Sequence, residues 1–164
     1  MSNILIQPVK YADLPILWEI NQAVMTLNVD PNRIFPAKQD EFNSRLLKST
    51  TLVARTESGQ VVGFLDYSPI WPEEMYGKQW SFEIAVSKDA QGSGIGKKLI
   101  GQMLTNAQQA EVAKISLRVL GSNPRAISFY ERLGFVREGH YRKEFHLNGK
   151  WVDDYQYARF YPYS

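Results

Sequence analysis

Hydrophobic residues change from a strand-like run to a helical period near the middle of the chain. An apolar run at Phe82, Ile84, Ala85 and Val86 is typical of a short β-strand. Further on, apolar residues recur at helical spacing, namely Leu99, Ile100, Met103, Leu104 and Ala107. Between them lies the glycine-rich segment 91–98, Gln-Gly-Ser-Gly-Ile-Gly-Lys-Lys. The pattern therefore predicts a strand that passes through a glycine turn into the N-terminus of a helix.

The N-terminal residues predict an edge strand followed by a helix. Residues 3–9 alternate apolar and polar side chains, and Pro8 restricts this strand to an edge or an end of a sheet. Asp13 is expected to cap the first helix, with Pro15 in its first turn. The two prolines in residues 28–36 are expected to end that helix.

The following residues predict a second helix and a hairpin. The helix is expected from about residue 37 to residue 48, with three side chains facing inward: Phe42, Leu46 and Leu47. Residues 51–55 and 61–67 are rich in β-formers and are joined by a short turn, so they predict an antiparallel pair. We expect residues 68–79 to form a loop.

Elements at the C-terminal end have strong turn and cap signals. Residues 114–119 predict a strand parallel to the central one, and residues 124–133 predict a short helix ended by Gly134. Asn148-Gly149 predicts the turn of a hairpin between strands at 135–147 and 151–160. The order of elements predicts an α+β, sandwich-like fold with helices flanking a mixed, mostly antiparallel sheet, in one domain over residues 1–164.

Composition removes several classes of function. The 164 residues include no cysteine, which excludes disulfides and thiolate chemistry, and only His140 and His146 as imidazole ligands, so we expect no metal site. The net charge of +2, with basic residues scattered along the chain, argues against a nucleic-acid partner. We expect a cytoplasmic protein without a membrane span, because neither a signal peptide nor a long apolar run is evident.

The glycine turn predicts a site for an anion, such as a phosphate or pyrophosphate. The first N–H groups of a helix lack intrahelical partners, and the helix dipole places positive potential there. The segment is not a P-loop, because Gly96-Lys97 is followed by Lys98 and not by Ser or Thr. It is not a dinucleotide fingerprint either, since the third glycine position is Leu99.

Gln91, Gly94 and Gly96 match the pattern Gln/Arg-x-x-Gly-x-Gly/Ala directly after a strand. This pattern resembles the acetyl-CoA-binding motif of the GNAT N-acetyltransferase superfamily. The resemblance implies that backbone amides of the turn hold the CoA pyrophosphate and that the preceding strand pairs with pantetheine. The residues that it assigns to the cofactor are Ile84, Ala85, Val86, Gln91, Gly92, Ser93, Gly94, Ile95, Gly96, Lys97, Asn123 and Ala126.

A second motif of the same superfamily follows at the expected separation. It consists of Asn123, Ala126, Tyr130 and the pair Gly134-Phe135, so the resemblance is specific over residues 80–139. Residues 135–142 are also similar to the branch that includes ribosomal-protein alanine and polyamine acetyltransferases. That branch contains amino-acid and antibiotic acetyltransferases as well, so it does not define the acceptor.

The resemblance implies direct acyl transfer from acetyl-CoA to a bound amine. Backbone N–H groups of Ile84–Val86 would polarise the thioester carbonyl. Tyr130 would protonate the departing thiolate, although packing in the core of its helix is an alternative. Asn123 would bind pantetheine or cap the following helix, and Gln91 would support the turn or lie on the surface.

The general base is assigned to Glu83, a carboxylate within an otherwise apolar strand. Burial would raise its pKa toward a useful value, but a position on the solvent face of the same strand fits the sequence equally well. The acceptor site is expected among the first two helices, the loop at 68–79 and the terminal hairpin. Candidate wall residues are Trp18, Asn28, Phe35, Tyr67, Trp71, Tyr141 and Asp153.

The sequence thus predicts an acetyl-CoA-dependent N-acetyltransferase that acts on a primary amine of a small molecule or a protein N-terminus. The alternative is a CoA-binding sensor or regulatory module that has the same fold and no turnover. A longer acyl donor and a homodimer both remain open.

Overall fold

A computed structural model describes residues 3–26 and 38–161. The strands are β1 (Ile4–Pro8), β2 (Thr50–Thr56), β3 (Val61–Pro69), β4 (Gln79–Val86), β5 (Lys114–Leu120), β6 (Val136–Leu147) and β7 (Lys150–Phe160). The α-helices are α1 (Leu14–Val24), α2 (Gln39–Lys48), α3 (Glu73–Tyr76), α4 (Ile95–Gln109) and α5 (Pro124–Arg132). Short 3-10 turns occupy Tyr11–Asp13 and Lys88–Ala90.

The strands are paired in the order β1-β2-β3-β4-β5-β7-β6, which confirms a mixed sheet in an α+β fold. The pairs β1–β2, β2–β3, β5–β7 and β6–β7 are antiparallel. The pair β4–β5 is parallel, as the predicted strand–helix–strand unit requires. Strand β1, which ends at Pro8, lies at an edge, where proline costs no ladder hydrogen bond.

The chain divides into two compact units, and β4 contributes residues to both. The first unit contains β1, α1, α2, β2, β3 up to Ser68, the part of β4 from Phe82, and α4. The middle of β2 and most of β3 are buried in this unit, with α2 against β2 and α4 against β1 and β2. This burial explains why apolar residues occupy successive positions in the middle of each strand, Leu52-Val53-Ala54 in β2 and Phe64-Leu65 in β3.

The second unit contains α3, the first residues of β4, β5, α5 and the hairpin of β6 and β7. Its buried side chains come mainly from β5 and β7, with Phe135 added from the segment after α5. The hairpin turns at Asn148 and Gly149, whose φ angles are 51° and 77°. Positive φ at both positions is what the Asn-Gly pair predicted. The expectation of one domain over the whole chain stays a prediction.

Two details of the first half differ from expectation. Leu47 is 51% exposed, whereas Phe42 and Leu46 are buried, so its predicted inward orientation is wrong. The segment predicted as a loop contains the four-residue helix α3. The predicted breaker at residues 28–36 and the start of α2 at residue 37 lie outside the described residues.

Candidate functional site

The glycine turn joins the 3-10 turn after β4 to the first residue of α4. Gly92 and Gly94 have φ angles of 81° and 84°, a left-handed conformation that side chains other than glycine rarely adopt. Gly94 occupies the N-cap of α4, and no side chain caps this helix terminus. The first intrahelical bond of the turn runs from Lys98 N–H to the Gly94 carbonyl, at 3.1 Å. The N–H groups of Ile95, Gly96 and Lys97 therefore precede the helical ladder and lack partners within it.

Two side chains brace the turn from within. The Gln91 amide donates through Nε2 to the carbonyl of Val86, 3.0 Å away, and so connects the turn to the last residue of β4. The Ser93 hydroxyl donates to the carbonyl of Ala90. Ile95 is buried and anchors the first turn of α4, while Lys97 and Lys98 are exposed.

These features fit the pyrophosphate of CoA. The unpartnered N–H groups and the N-terminal end of the dipole supply donors and positive potential, and the two lysines add cationic charge nearby. A Cβ atom built on Gly92 or Gly94 would have no other atom within 4 Å, so the backbone here is accessible to a ligand. The cofactor roles of residues 91–97 themselves remain a prediction.

The strand predicted to hold the thioester lies against a glycine that sequence reasoning missed. A Cβ at Gly63 on β3 would lie 3.0 Å from the carbonyl oxygen of Ala85 and 3.4 Å from the Cα of Val86. A side chain at position 63 would therefore be crowded by the backbone of β4, and glycine accommodates this approach of β3 to the end of β4 without displacement. Apart from the glycine itself, nothing in the apolar run around Gly63 indicated a close approach to another strand.

Glu83 does not have the environment that was expected of a buried base. Its side chain is 47% exposed, and its Oε2 atom forms an ion pair with Arg45 Nη1 of α2 at 3.0 Å. The alternative position, on the solvent face of β4, is therefore the observed one. Its assignment as the general base stays a prediction, but burial is no longer the reason for it.

The carboxyl group with a strongly perturbed pKa is Asp66 of β3. Its side chain is only 7% exposed, and burial raises its pKa from 3.8 to about 7. Glu83 contributes to the rise, whereas Arg45, 3.4 Å from both carboxylate oxygens, opposes it. Asp66 lies in an apolar run, and its separation from Arg45 by 21 positions in the sequence concealed the pair.

The second motif begins at the N-terminus of α5. Asn123 Oδ1 accepts the backbone N–H of Ala126 at 3.2 Å, which confirms the predicted cap. Since its oxygen is used in this way, Asn123 offers a ligand the N–H donors of its amide group. A pantetheine group bound there would therefore be an acceptor, such as a carbonyl. The cofactor roles of Asn123 and Ala126 stay predictions.

Tyr130 lies in an aromatic group of the second unit. Its ring centroid is 5.2 Å from that of Phe129 and 5.9 Å from that of Phe135, both in edge-to-face arrangements. Burial raises the pKa of the Tyr130 phenol above its usual value of 10.0. The phenol thus keeps its proton at neutral pH. Transfer of this proton to a thiolate is less favourable than it would be from a phenol with the unperturbed pKa of 10.0. The Tyr130 side chain is half-buried, with its ring packed on Phe129 and Phe135, and its role as acid stays a prediction.

Candidate acceptor residues of the first unit are occupied in packing. The Trp18 ring packs on Phe42, with centroids 5.3 Å apart. Tyr67 is buried, and its hydroxyl accepts a hydrogen bond from Asn106 Nδ2 at 3.0 Å. Asn28 and Phe35 lie outside the described residues.

The remaining candidates belong to the second unit. Trp71 is half exposed and packs edge-on against Tyr76. The guanidinium of Arg118 covers the ring of Tyr141 at 4.0 Å. Asp153 accepts the Lys143 N–H at 2.9 Å and pairs with His140, and these hydrogen bonds lower its pKa. Among the described residues, no cluster of three or more His, Asp or Glu side chains has the geometry of a metal site. No helix of the same residues is long and apolar enough to cross a membrane.

Similar proteins agree with these features. The family model described as acetyltransferase (GNAT) family matches residues 17–135. A spermidine N(1)-acetyltransferase of Vibrio cholerae is 38% identical over 73 residues, which cover 44% of this chain and 42% of that protein. A ribosomal protein bS18-alanine N-acetyltransferase of Escherichia coli K12 is 27% identical over 140 residues, which cover 83% of this chain and 86% of that protein.

A solved structure extends the agreement to the fold. The smu.2055 protein of Streptococcus mutans UA159 superposes with a TM-score of 0.87 at 29% identity, over 95% of this chain and 98% of that one. The family model covers most of the chain, including β4, the glycine turn and α5. The resemblance seen in the sequence is thereby confirmed, and the chain belongs to the GNAT family of acetyltransferases.

Proposed function

We propose that this protein transfers the acetyl group of acetyl-CoA to a primary amine of a small molecule or of a protein N-terminus. The observation that carries the proposal is the turn at residues 91–97. It has two left-handed glycines, an uncapped helix N-terminus and a glutamine that ties it to the end of β4. Membership in the acetyltransferase family supplies the donor.

The residues have separate tasks in this proposal. The N–H groups of the turn bind the pyrophosphate, and the end of β4 aligns the thioester. The amine nitrogen forms a bond to the acetyl carbon to give a tetrahedral oxyanion, and the bond from that carbon to sulfur then breaks. Glu83 takes the first proton from the ammonium, and the nitrogen loses a second proton once its bond to the acetyl carbon has formed. Tyr130 gives its proton to the departing sulfur, and the second proton from the nitrogen restores the phenol through water.

The test is release of free thiol from acetyl-CoA in the presence of a panel of amines. The panel contains polyamines, amino acids and a peptide with an N-terminal alanine. Because the chain has no cysteine, a thiol reagent reports only the CoA that is released. We expect thiol release that depends on one class of amine, with an equal amount of acetylated amine by mass spectrometry. CoA binding without turnover on any amine would instead support the sensor or regulatory module.

A further inference from the structure

Arg45 links two carboxylates that belong to neighbouring strands of the first unit. Its Nη1 atom lies 3.0 Å from Glu83 Oε2, and its Nη2 and Nε atoms each lie 3.4 Å from an oxygen of Asp66. Exposure of the side chains increases from Asp66 at 7%, through Arg45 at 38%, to Glu83 at 47%. The three residues form a cluster, hereafter the Asp66–Arg45–Glu83 cluster, that runs from the interior to the surface.

The guanidinium of this cluster contacts more groups than that of an ordinary surface ion pair. A surface pair contributes about 0–1 kcal/mol, because two long side chains must be ordered in water. Here the buried carboxylate of Asp66 meets one edge of the planar fork, and the Phe42 ring lies 5.3 Å from the guanidinium carbon. The other edge of the guanidinium, which carries Nη1, is thereby directed at Glu83 before any ligand binds.

The charges of the cluster favour a cation. Above about pH 7, where Asp66 is ionised, two carboxylates against one guanidinium leave a net charge of −1, and the exposed end of the cluster is Glu83. The charged groups that face Asp66 are Arg45 from α2 and Glu83 from β4, and its partner on β2 is the uncharged Thr51. Asp66 therefore offsets the charge of Arg45, so that the guanidinium orients Glu83 without cancelling its negative charge.

We propose that Arg45, anchored by Asp66, is a positioning residue that fixes the Glu83 carboxylate to receive the acceptor ammonium. This inference rests on the proposed acetyltransferase function and on Glu83 as the base. One N–H bond of the ammonium breaks, its proton moves to a Glu83 oxygen and then to water, and the nitrogen keeps the electron pair that attacks the thioester. Arg45 itself exchanges no proton and touches no substrate.

The test compares Arg45→Met and Arg45→Lys with Lys48→Met. Lys48 is exposed on α2 one turn further along, so its substitution removes a positive charge without affecting the cluster. The acceptors are spermidine and a peptide with an N-terminal alanine, and the readouts are kcat, KM, the affinity for CoA and Tm. We expect Arg45→Met to lower kcat/KM for the amine by about 10²-fold, the scale of a misplaced catalytic group, with near-normal CoA affinity. Arg45→Lys should recover part of the loss because it keeps the charge but not the fork.

A pH profile separates positioning from a merely structural role. Asp66, whose pKa is raised to about 7, gives the cluster its net charge as it ionises, so kcat/KM for the amine should rise near that pH. In Asp66→Asn this step should disappear when the same amine is used.

The outcomes are distinct. A wild-type protein that binds CoA and acetylates neither amine nor any other of the panel overturns the proposed function, and this inference with it. An active wild type whose Arg45→Met variant retains its kcat/KM and pH profile overturns the positioning role alone. If Arg45→Met does not fold, the Arg45→Lys and Asp66→Asn comparisons still decide the matter.

Discussion

Replacing Asp66 by asparagine should make the protein more stable at alkaline pH, which is opposite to the usual effect of breaking an ion pair. The pKa of the Asp66 carboxyl is raised from 3.8 to about 7 by burial, so the folded protein binds this proton more tightly than the unfolded chain does. The contribution of this tighter proton binding to the free energy of unfolding is fully present below about pH 4. It is lost as the pH rises through 7.

The magnitude follows from the size of the shift. About three pKa units at about 1.4 kcal/mol each make ionisation of Asp66 about 4 kcal/mol more costly in the folded state. Between pH 5 and pH 8 the part of this cost that is realised is about 2 to 3 kcal/mol. Asparagine has the same shape and does not ionise. Arg45 retains Glu83 as a partner in this variant, so no buried charge is left alone.

Urea denaturation of the wild type and of Asp66→Asn at pH 5 and pH 8 measures the effect. The free energy of unfolding of the variant, relative to the wild type, should increase by about 2 to 3 kcal/mol between these two pH values. Asp40→Asn, which removes an exposed carboxylate of α2, serves as the control and should show no comparable change. Parallel curves for Asp66→Asn and the wild type would refute the reasoning, because they would show that Asp66 is ionised throughout this range.

Three further predictions concern the cofactor and the chemistry. Gly94→Glu places a carboxylate at the expected pyrophosphate position and should abolish the rise in Tm that CoA causes. Gly101→Glu, on the exposed side of the same helix, is the control and should retain that rise. An unchanged rise in Tm for Gly94→Glu would place the pyrophosphate elsewhere. Tyr130→Phe should lose turnover while binding CoA nearly normally in a calorimetric titration, and wild-type turnover would remove Tyr130 as the acid. Gly63→Ala adds a methyl group 3.0 Å from the Ala85 carbonyl oxygen, so we expect a loss of about 1–3 kcal/mol in unfolding free energy and weaker CoA binding. Gly101→Ala, with open space around it, is the matched control, and normal CoA affinity in Gly63→Ala would contradict the role of this close approach.

Features fixed by local chemistry were predictable from the sequence. Gly94 adopts positive φ at the start of α4, Asn123 caps α5, and Gly134 follows that helix with a φ of 88°. The Asn148-Gly149 turn has the conformation that only a few residue types tolerate. In each case a few adjacent residues determine the backbone conformation, so it can be predicted from a short stretch of sequence.

Helix faces and very short helices were harder to predict. Leu46 and Leu47 are adjacent and differ by about 100° around the helix, so only the one on the side of Phe42 is buried. Helix α3 has four residues, too few for any apolar period to be recognised. Tertiary packing decides both features, and the hydrophobic pattern does not contain it.

The candidate site showed the same limit. The pattern assigned the perturbed carboxyl to Glu83 because it interrupts an apolar strand, yet the buried carboxyl is Asp66 on the neighbouring strand. Asp66 is paired with Arg45, which comes from a different element. A sequence pattern indicates the face of a single strand, and it does not indicate which residues of separate elements meet.

The hydrogen bond from Gln91 to the Val86 carbonyl has a consequence for chimeric proteins. Exchanging the glycine turn alone for that of a relative would leave the last carbonyl of β4 without this donor, unless the relative supplies a side chain of the same reach. A graft that is meant to transfer selectivity for the acyl-CoA donor should therefore include residues 86–97 as one segment. The natural unit of exchange in this region is the strand end together with its turn.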